Sequence, residues 1–115
     1  MIQQGLVHFS SLKPFYELAE RCQIADGCPV KMYWNLLEGR RLDAQALDYV
    51  YLAKDDPQKP IGLLNVYYFQ EAVEITAMVD PEYRNQGIFN ALMQSAIKAL
   101  RLYYVKSYML ICHAK

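Results

Sequence analysis

The sequence predicts an α/β fold: a mixed sheet with two helices before it, an antiparallel meander, then a long helix and a parallel strand. Three observations carry that expectation. Apolar residues recur at helical spacing in two early stretches and again near the end. Between them lie Tyr-rich and β-branched runs cut by turn signals. The closing order of strand, helix and strand favours a right-handed parallel crossover.

Each element has its own signal. Ser10-Ser11 supplies a helix start, and Leu12, Phe15, Tyr16, Ala19 and Cys22 share one face until Asp26-Gly27 ends the run. After Pro29, Val30, Trp34 and Leu37 fall on one face of a short second helix. Gly39 with Arg40-Arg41 reads as its end, with cations favouring the dipole. Leu47 to Ala53 and Ile61 to Phe69 read as antiparallel strands joined by a polar connection over residues 54–60. Gln70-Glu71 leaves room only for a tight turn. Ala72 to Val79 then alternates Val73, Ile75, Ala77 and Val79 against Ala72, Glu74, Thr76 and Met78. Asp80-Pro81 stops that strand. Ile88, Leu92, Ser95, Ala96, Ala99 and Leu102 return to helical period, and Ser107 to His113 is a short apolar strand.

The chain has 115 residues, 54% hydrophobic and 21% charged, which suits one domain over 1–115 and is short for two. Twelve basic residues balance twelve acidic ones, so no electrostatic footprint for nucleic acid or an acidic membrane surface is present. No stretch approaches the roughly 20 apolar residues of a membrane span, and the start lacks a leader pattern. A cytoplasmic protein is the expectation. Cys22, Cys28 and Cys112 lack both paired spacing and an even count, so neither a disulfide framework nor a metal site is predicted.

Chemistry concentrates in Asp80-Pro81-Glu82-Tyr83-Arg84-Asn85-Gln86-Gly87-Ile88-Phe89-Asn90, which joins a strand to a long helix. Amides at such a helix start can hold a phosphate. Gly87 lets the main chain approach a ligand, and Arg84 adds positive charge. A glycine there can also be only a turn. The Gly-Lys-Ser/Thr of a P-loop and the G-x-G-x-x-G of a Rossmann turn are both absent. What stands is Arg-x-x-Gly-x-Phe after an Asp-Pro-Glu-Tyr turn, and this resembles the pyrophosphate loop of the GNAT N-acetyltransferase superfamily, Gln/Arg-x-x-Gly-x-Gly/Ala. Phe89 stands where that pattern has Gly or Ala. The resemblance runs from about Asp48 to the end in element order, and the two preceding helices fit it.

The resemblance implies an acyl-CoA N-acyltransferase fold and acetyl-CoA as cosubstrate. Its pyrophosphate would lie on the amides of Arg84, Asn85, Gln86, Gly87, Ile88 and Phe89. Main-chain groups of Ala77, Met78 and Val79 would hold the pantetheine arm and polarise the thioester. Amine acetylation also needs a base, because an ammonium ion has no lone pair for attack. Glu74, on a strand face with Thr76 and Met78, is the first candidate. The alternative is a solvated or ion-paired carboxylate on a half-exposed strand.

Other residues carry weaker signals. Cys112 and His113 are adjacent on a strand and so point to opposite faces, which argues against a couple. His8 reads as a surface or capping histidine. The ten tyrosines, Tyr33 and Trp34 can line an acceptor pocket for a small-molecule or peptide amine, but packing is the commoner role. Superfamily members usually continue with a further helix and two strands, a part that usually supplies a tyrosine that protonates the leaving thiolate. The sequence here ends at Ala114-Lys115, so the expectation is a homodimer or part of a longer chain. An idle coenzyme A binding module and a protein-interaction domain are the competing readings.

Overall fold

A computed structural model describes residues 1–43, 46–69, 72–100 and 107–112. Strands β1 (Ile2–Gln4), β2 (Asp48–Ala53), β3 (Asp56–Phe69), β4 (Ala72–Val79) and β5 (Ser107–Cys112) form one sheet in that order. Each neighbouring pair among the first four is antiparallel, and β5 joins β4 in parallel. Helices α1 (Lys13–Asp26) and α2 (Trp34–Arg40) pack on one face, and α3 (Ile88–Leu100) on the other. The predicted mixed sheet, meander, helices and parallel strand are all present.

Alternation along β4 decides which residues meet which helix. Val73, Ile75, Ala77 and Val79 pack with Ile88, Leu92, Ala96 and Leu100 of α3, four residues that share one stripe of the helix. Met78, from the opposite set, joins Val50, Leu52 and Leu63 beneath Phe15, Leu18 and Cys22 of α1. Gly62 lets α3 come close to the sheet: a Cβ there would lie 2.9 Å from Ile88 Cγ2 and 3.1 Å from Leu92 Cδ1.

Several boundaries differ from the sequence reading, each for a local reason. The expected connection over residues 54–60 is mostly strand. β3 begins at Asp56, and Pro57 and Pro60 are accommodated where the register shifts at Leu52 and Ala53 of β2. Residues 28–33 precede α2 without helix, so Val30 is not on its face, although it packs against the same core. Helix α1 starts at Lys13, with Pro14 in its first turn and Ser11 Oγ accepting from the Lys13 amide at 3.3 Å. β1 had no sequence signal beyond its position; at three residues it is too short for period 2 to show. Both faces of β4 are covered, so the half-exposed strand is corrected: only Ala72 is not buried. The Gln70-Glu71 turn, Tyr103-Tyr104, the helix end at Leu102, and His113 lie outside the described residues.

Candidate active site

Between β4 and α3 the chain makes a 3-10 turn, Pro81–Tyr83, capped by Asp80, whose Oδ1 accepts from the Glu82 amide at 3.0 Å. Asn85 and Gly87 then both adopt left-handed backbone, φ 65° and 79°. Gly87 is required by that conformation rather than by crowding, since a Cβ there would meet nothing within 4 Å. Left-handed residues placed this close together turn successive amides toward one side. Ile88 and Phe89 follow as the first residues of α3, whose opening amides have no acceptor within the helix. Among the described residues, no backbone carbonyl accepts from the amides of Asn85, Gln86, Gly87, Ile88 or Phe89. Phe89 packs its ring against the α3 core, so the residue that departs from the glycine-rich pattern is used as a hydrophobic anchor.

The structure changes what Arg84 contributes. Its guanidinium forms a two-pronged pair with Asp26 at the end of α1, 2.7 and 2.9 Å, and its Nε donates to the Val79 carbonyl at 3.1 Å. Those bonds to Asp26 push its pKa further up. The expected positive charge beside the amides is therefore matched by a carboxylate.

Main-chain direction separates the three β4 candidates. The Asp80 amide donates to the Ile61 carbonyl on β3 at 2.8 Å. Antiparallel alternation makes Met78 with Leu63 the next hydrogen-bonding pair, so Met78 turns its peptide groups to β3. Ala77 and Val79 turn theirs to the β5 side. Among the described residues, pairing with β5 reaches Ala77 opposite Cys112. The Val79 carbonyl is already used by Arg84 and by Cys22 Sγ, 3.4 Å away, so its amide is the main-chain group it has left on the β5 side of β4.

Glu74 lies on the α1–α2 face of β4 and is only 9% exposed. Its Oε1 accepts from the Tyr33 hydroxyl at 2.7 Å, and this bond raises the Tyr33 pKa. Tyr67 is its direct cross-strand neighbour and meets Tyr33 edge-on at 4.9 Å between ring centroids. Beyond them runs a buried polar chain. The Thr76 hydroxyl reaches Asn65 Oδ1 at 3.4 Å, and Asn65 Nδ2 donates to Asp48 Oδ1 at 2.8 Å. Asp48 also pairs with Arg40, whose guanidinium stacks 4.6 Å above the Tyr67 ring and donates to the Val66 carbonyl at 2.8 Å. Burial pushes the Asp48 carboxyl up, against the opposing pull of Arg40. Arg40 thus holds the far end of the sheet and does more than face the α2 dipole.

An open cleft of about 580 Å³ is lined by Met32, Tyr33, Trp34, Asn35 and Leu36. Tyr33 connects it to Glu74. Trp34 packs on Tyr16 at 4.5 Å between ring centroids, so it is both wall and packing. His8 is exposed, as read from the sequence. Cys22 is buried, where desolvation raises its pKa, and Cys28 is exposed. The Tyr33 bond and the network of Arg40, Asp48 and Asn65 were missed. Their signals were a polar residue within each of β2 and β3 and a tyrosine beside the singled-out Trp34.

Comparison with known proteins agrees with this fold. Residues 12–114 match the acetyltransferase (GNAT) family, and the chain belongs to that family. No curated protein matches the chain in sequence. A GCN5-related N-acetyltransferase from Sphaerobacter thermophilus superposes with a TM-score of 0.66 at 18% identity, covering 91% of this chain. The chain spans only 34% of that protein's length. An aminoglycoside N-acetyltransferase in complex with CoA superposes with a TM-score of 0.59 at 15% identity, over 96% of this chain and 78% of its own. A ribosomal-protein-alanine N-acetyltransferase from Brucella melitensis biovar Abortus 2308 gives 0.57 at 15% identity, over 97% and 78%. These likenesses establish the fold. Among the described residues, no helix is long and apolar enough to cross a membrane.

Proposed function

We propose that the chain is an acetyl-CoA dependent N-acetyltransferase that acts on a small-molecule or peptide amine by direct attack on the thioester. The observation that carries this reading is the loop after β4: left-handed residues at Asn85 and Gly87 open α3 with a run of amides that have no backbone acceptor among the described residues. A diphosphate is the ligand such a helix start favours, because unsatisfied amides and the positive dipole end act together.

In this reading the amides of Arg84 to Phe89 hold the pyrophosphate, and the main chain at Val79 meets the thioester end of the pantetheine arm. Met78 serves as core. The Val79 amide, on the β5 side of β4, is the donor for the oxyanion that develops as the amine adds. One such donor is worth about 10²-fold or more in rate. Glu74 takes the proton from the incoming ammonium, directly or through one water. Tyr33 holds the carboxylate in place and forms one side of the acceptor cleft. Solved structures of the same fold are named for aminoglycosides and for a ribosomal-protein alanine, which supports a small-molecule or a peptide amine as acceptor.

The test is calorimetric titration with acetyl-CoA followed by a thiol-release assay over aminoglycoside and peptide amines. Micromolar binding lost in Gly87→Glu, which places a negative side chain on a left-handed residue, supports the coenzyme site. Thiol release reduced in Glu74→Gln by about 10²-fold or more supports the base. Absence of binding in the wild-type chain refutes the reading. Full activity in Glu74→Gln would move the base elsewhere.

A further inference from the structure

The last turns of α1 grip the segment that leads into the loop at three places: Arg21, Cys22 and Asp26. Arg21 Nε donates to Asp80 Oδ2 at 2.7 Å, and the other oxygen of Asp80 caps the 3-10 turn. Cys22 Sγ meets the Val79 carbonyl at 3.4 Å. Asp26 binds both terminal nitrogens of Arg84, with the two side chains 24% and 13% exposed. Val79, Asp80 and Arg84 are thereby fixed on both sides of the turn, immediately before the amides of Asn85 to Phe89.

Local preference does not explain Asp26. A carboxylate in the last turn of a helix faces the negative end of the dipole, and Gly27 already caps the helix with a left-handed residue. Its partner lies 58 residues along the chain, so its role is tertiary. Arg84 likewise makes three charge-assisted or backbone bonds that it would lose by turning to a diphosphate.

We infer that Asp26 is a positioning residue for coenzyme binding: it locks Arg84 into a brace between α1 and the loop, so that Arg84 acts on the coenzyme through loop geometry and not by pairing with the pyrophosphate. The inference rests on the coenzyme reading above. It predicts a sign. If Arg84 were a pyrophosphate ligand, Asp26 would compete for it, and Asp26→Asn would tighten binding. As a brace, Asp26→Asn weakens it.

The experiment is calorimetric titration of acetyl-CoA into the wild type, Asp26→Asn, Arg84→Met and the double variant, with amide hydrogen exchange of the loop measured without coenzyme. Each single variant should weaken binding about tenfold and the double no further, the non-additivity of two residues in one interaction. The loop amides should exchange faster in Asp26→Asn. Equal or tighter binding by Asp26→Asn, or losses that add in the double variant, overturn the brace while wild-type binding stands. A wild-type chain that does not bind overturns the coenzyme reading and the brace with it. Unchanged loop exchange also counts against the brace, independently of any ligand.

Discussion

Tyr67 shows how one side chain can be placed for shape rather than for its polar atom. It is 3% exposed, and its hydroxyl has no hydrogen-bond partner among the described residues; the nearby Thr76 hydroxyl bonds instead to Asn65. Burial pushes its pKa up to about 12 from 10.0. An unpaired buried hydroxyl costs free energy that a phenyl ring would not, so Tyr67→Phe should leave stability at neutral pH unchanged or raise it by up to about 1 kcal/mol. The pH dependence has a definite sign. A pKa higher in the folded state means the folded chain holds the proton longer, so stability is intact below pH 10 and falls as pH rises toward 12. Urea unfolding across that window should show a shallower loss in Tyr67→Phe than in wild type. The loss does not vanish, because Tyr33 is shifted in the same direction. A steeper loss in the variant would refute the assignment.

At the scale of elements, the close approach of α3 to β3 depends on Gly62. Ile88 is β-branched, and in a helix its χ1 has essentially one choice, so its Cγ2 cannot swing away from a new methyl group. The start of α3 must shift instead, and the loop that precedes it moves too. Gly62→Ala should destabilise by about 1–3 kcal/mol as an overpacked core site and weaken acetyl-CoA binding as well. Gly39, in α2, is the control, because a Cβ there meets nothing within 4 Å. Gly39→Ala should stabilise by roughly 0.5–1 kcal/mol. Urea midpoints of the two variants moving in the same direction would contradict this. The elements were legible because period 2 and period 3.6 are written into β4 and α3 by residues that pack on one face. What was not legible depends on pairs distant in sequence. Nothing near Asp26 announces Arg84, nothing near Tyr33 announces Glu74, and the prolines at positions 57 and 60 disguise the start of β3. Gly87 was readable as a candidate because a glycine between strand and helix has few uses. Arg84 was readable by type, but its partner, and hence its role, was not.

For the molecule as a whole, the sheet separates two cores that differ in character. Among the described residues the core on the α3 side is apolar, whereas the α1–α2 side passes from Val50, Leu52, Leu63 and Met78 to the polar set of Asp48, Asn65, Thr76 and Glu74. Both cores are built on the same strands, β3 and β4, and α1 is tied to the loop before α3 by two ion pairs. The two sides should therefore unfold together. Trp34, the one tryptophan in the sequence, reports the α1–α2 side through its contact with Tyr16, while far-ultraviolet dichroism reports all helices. Thermal transitions by the two probes should coincide, as for a two-state domain. Acetyl-CoA at about 100 times its Kd should stabilise by about 2.7 kcal/mol, which for a chain of this size moves Tm by roughly 10 °C. Fluorescence and dichroism should shift by the same amount, although the proposed ligand touches β4 and α3 and never Trp34. A fluorescence transition that precedes dichroism and does not respond to acetyl-CoA would show that the α1–α2 layer melts independently, and that the ion pairs from Arg21 and Asp26 do not couple it to the loop.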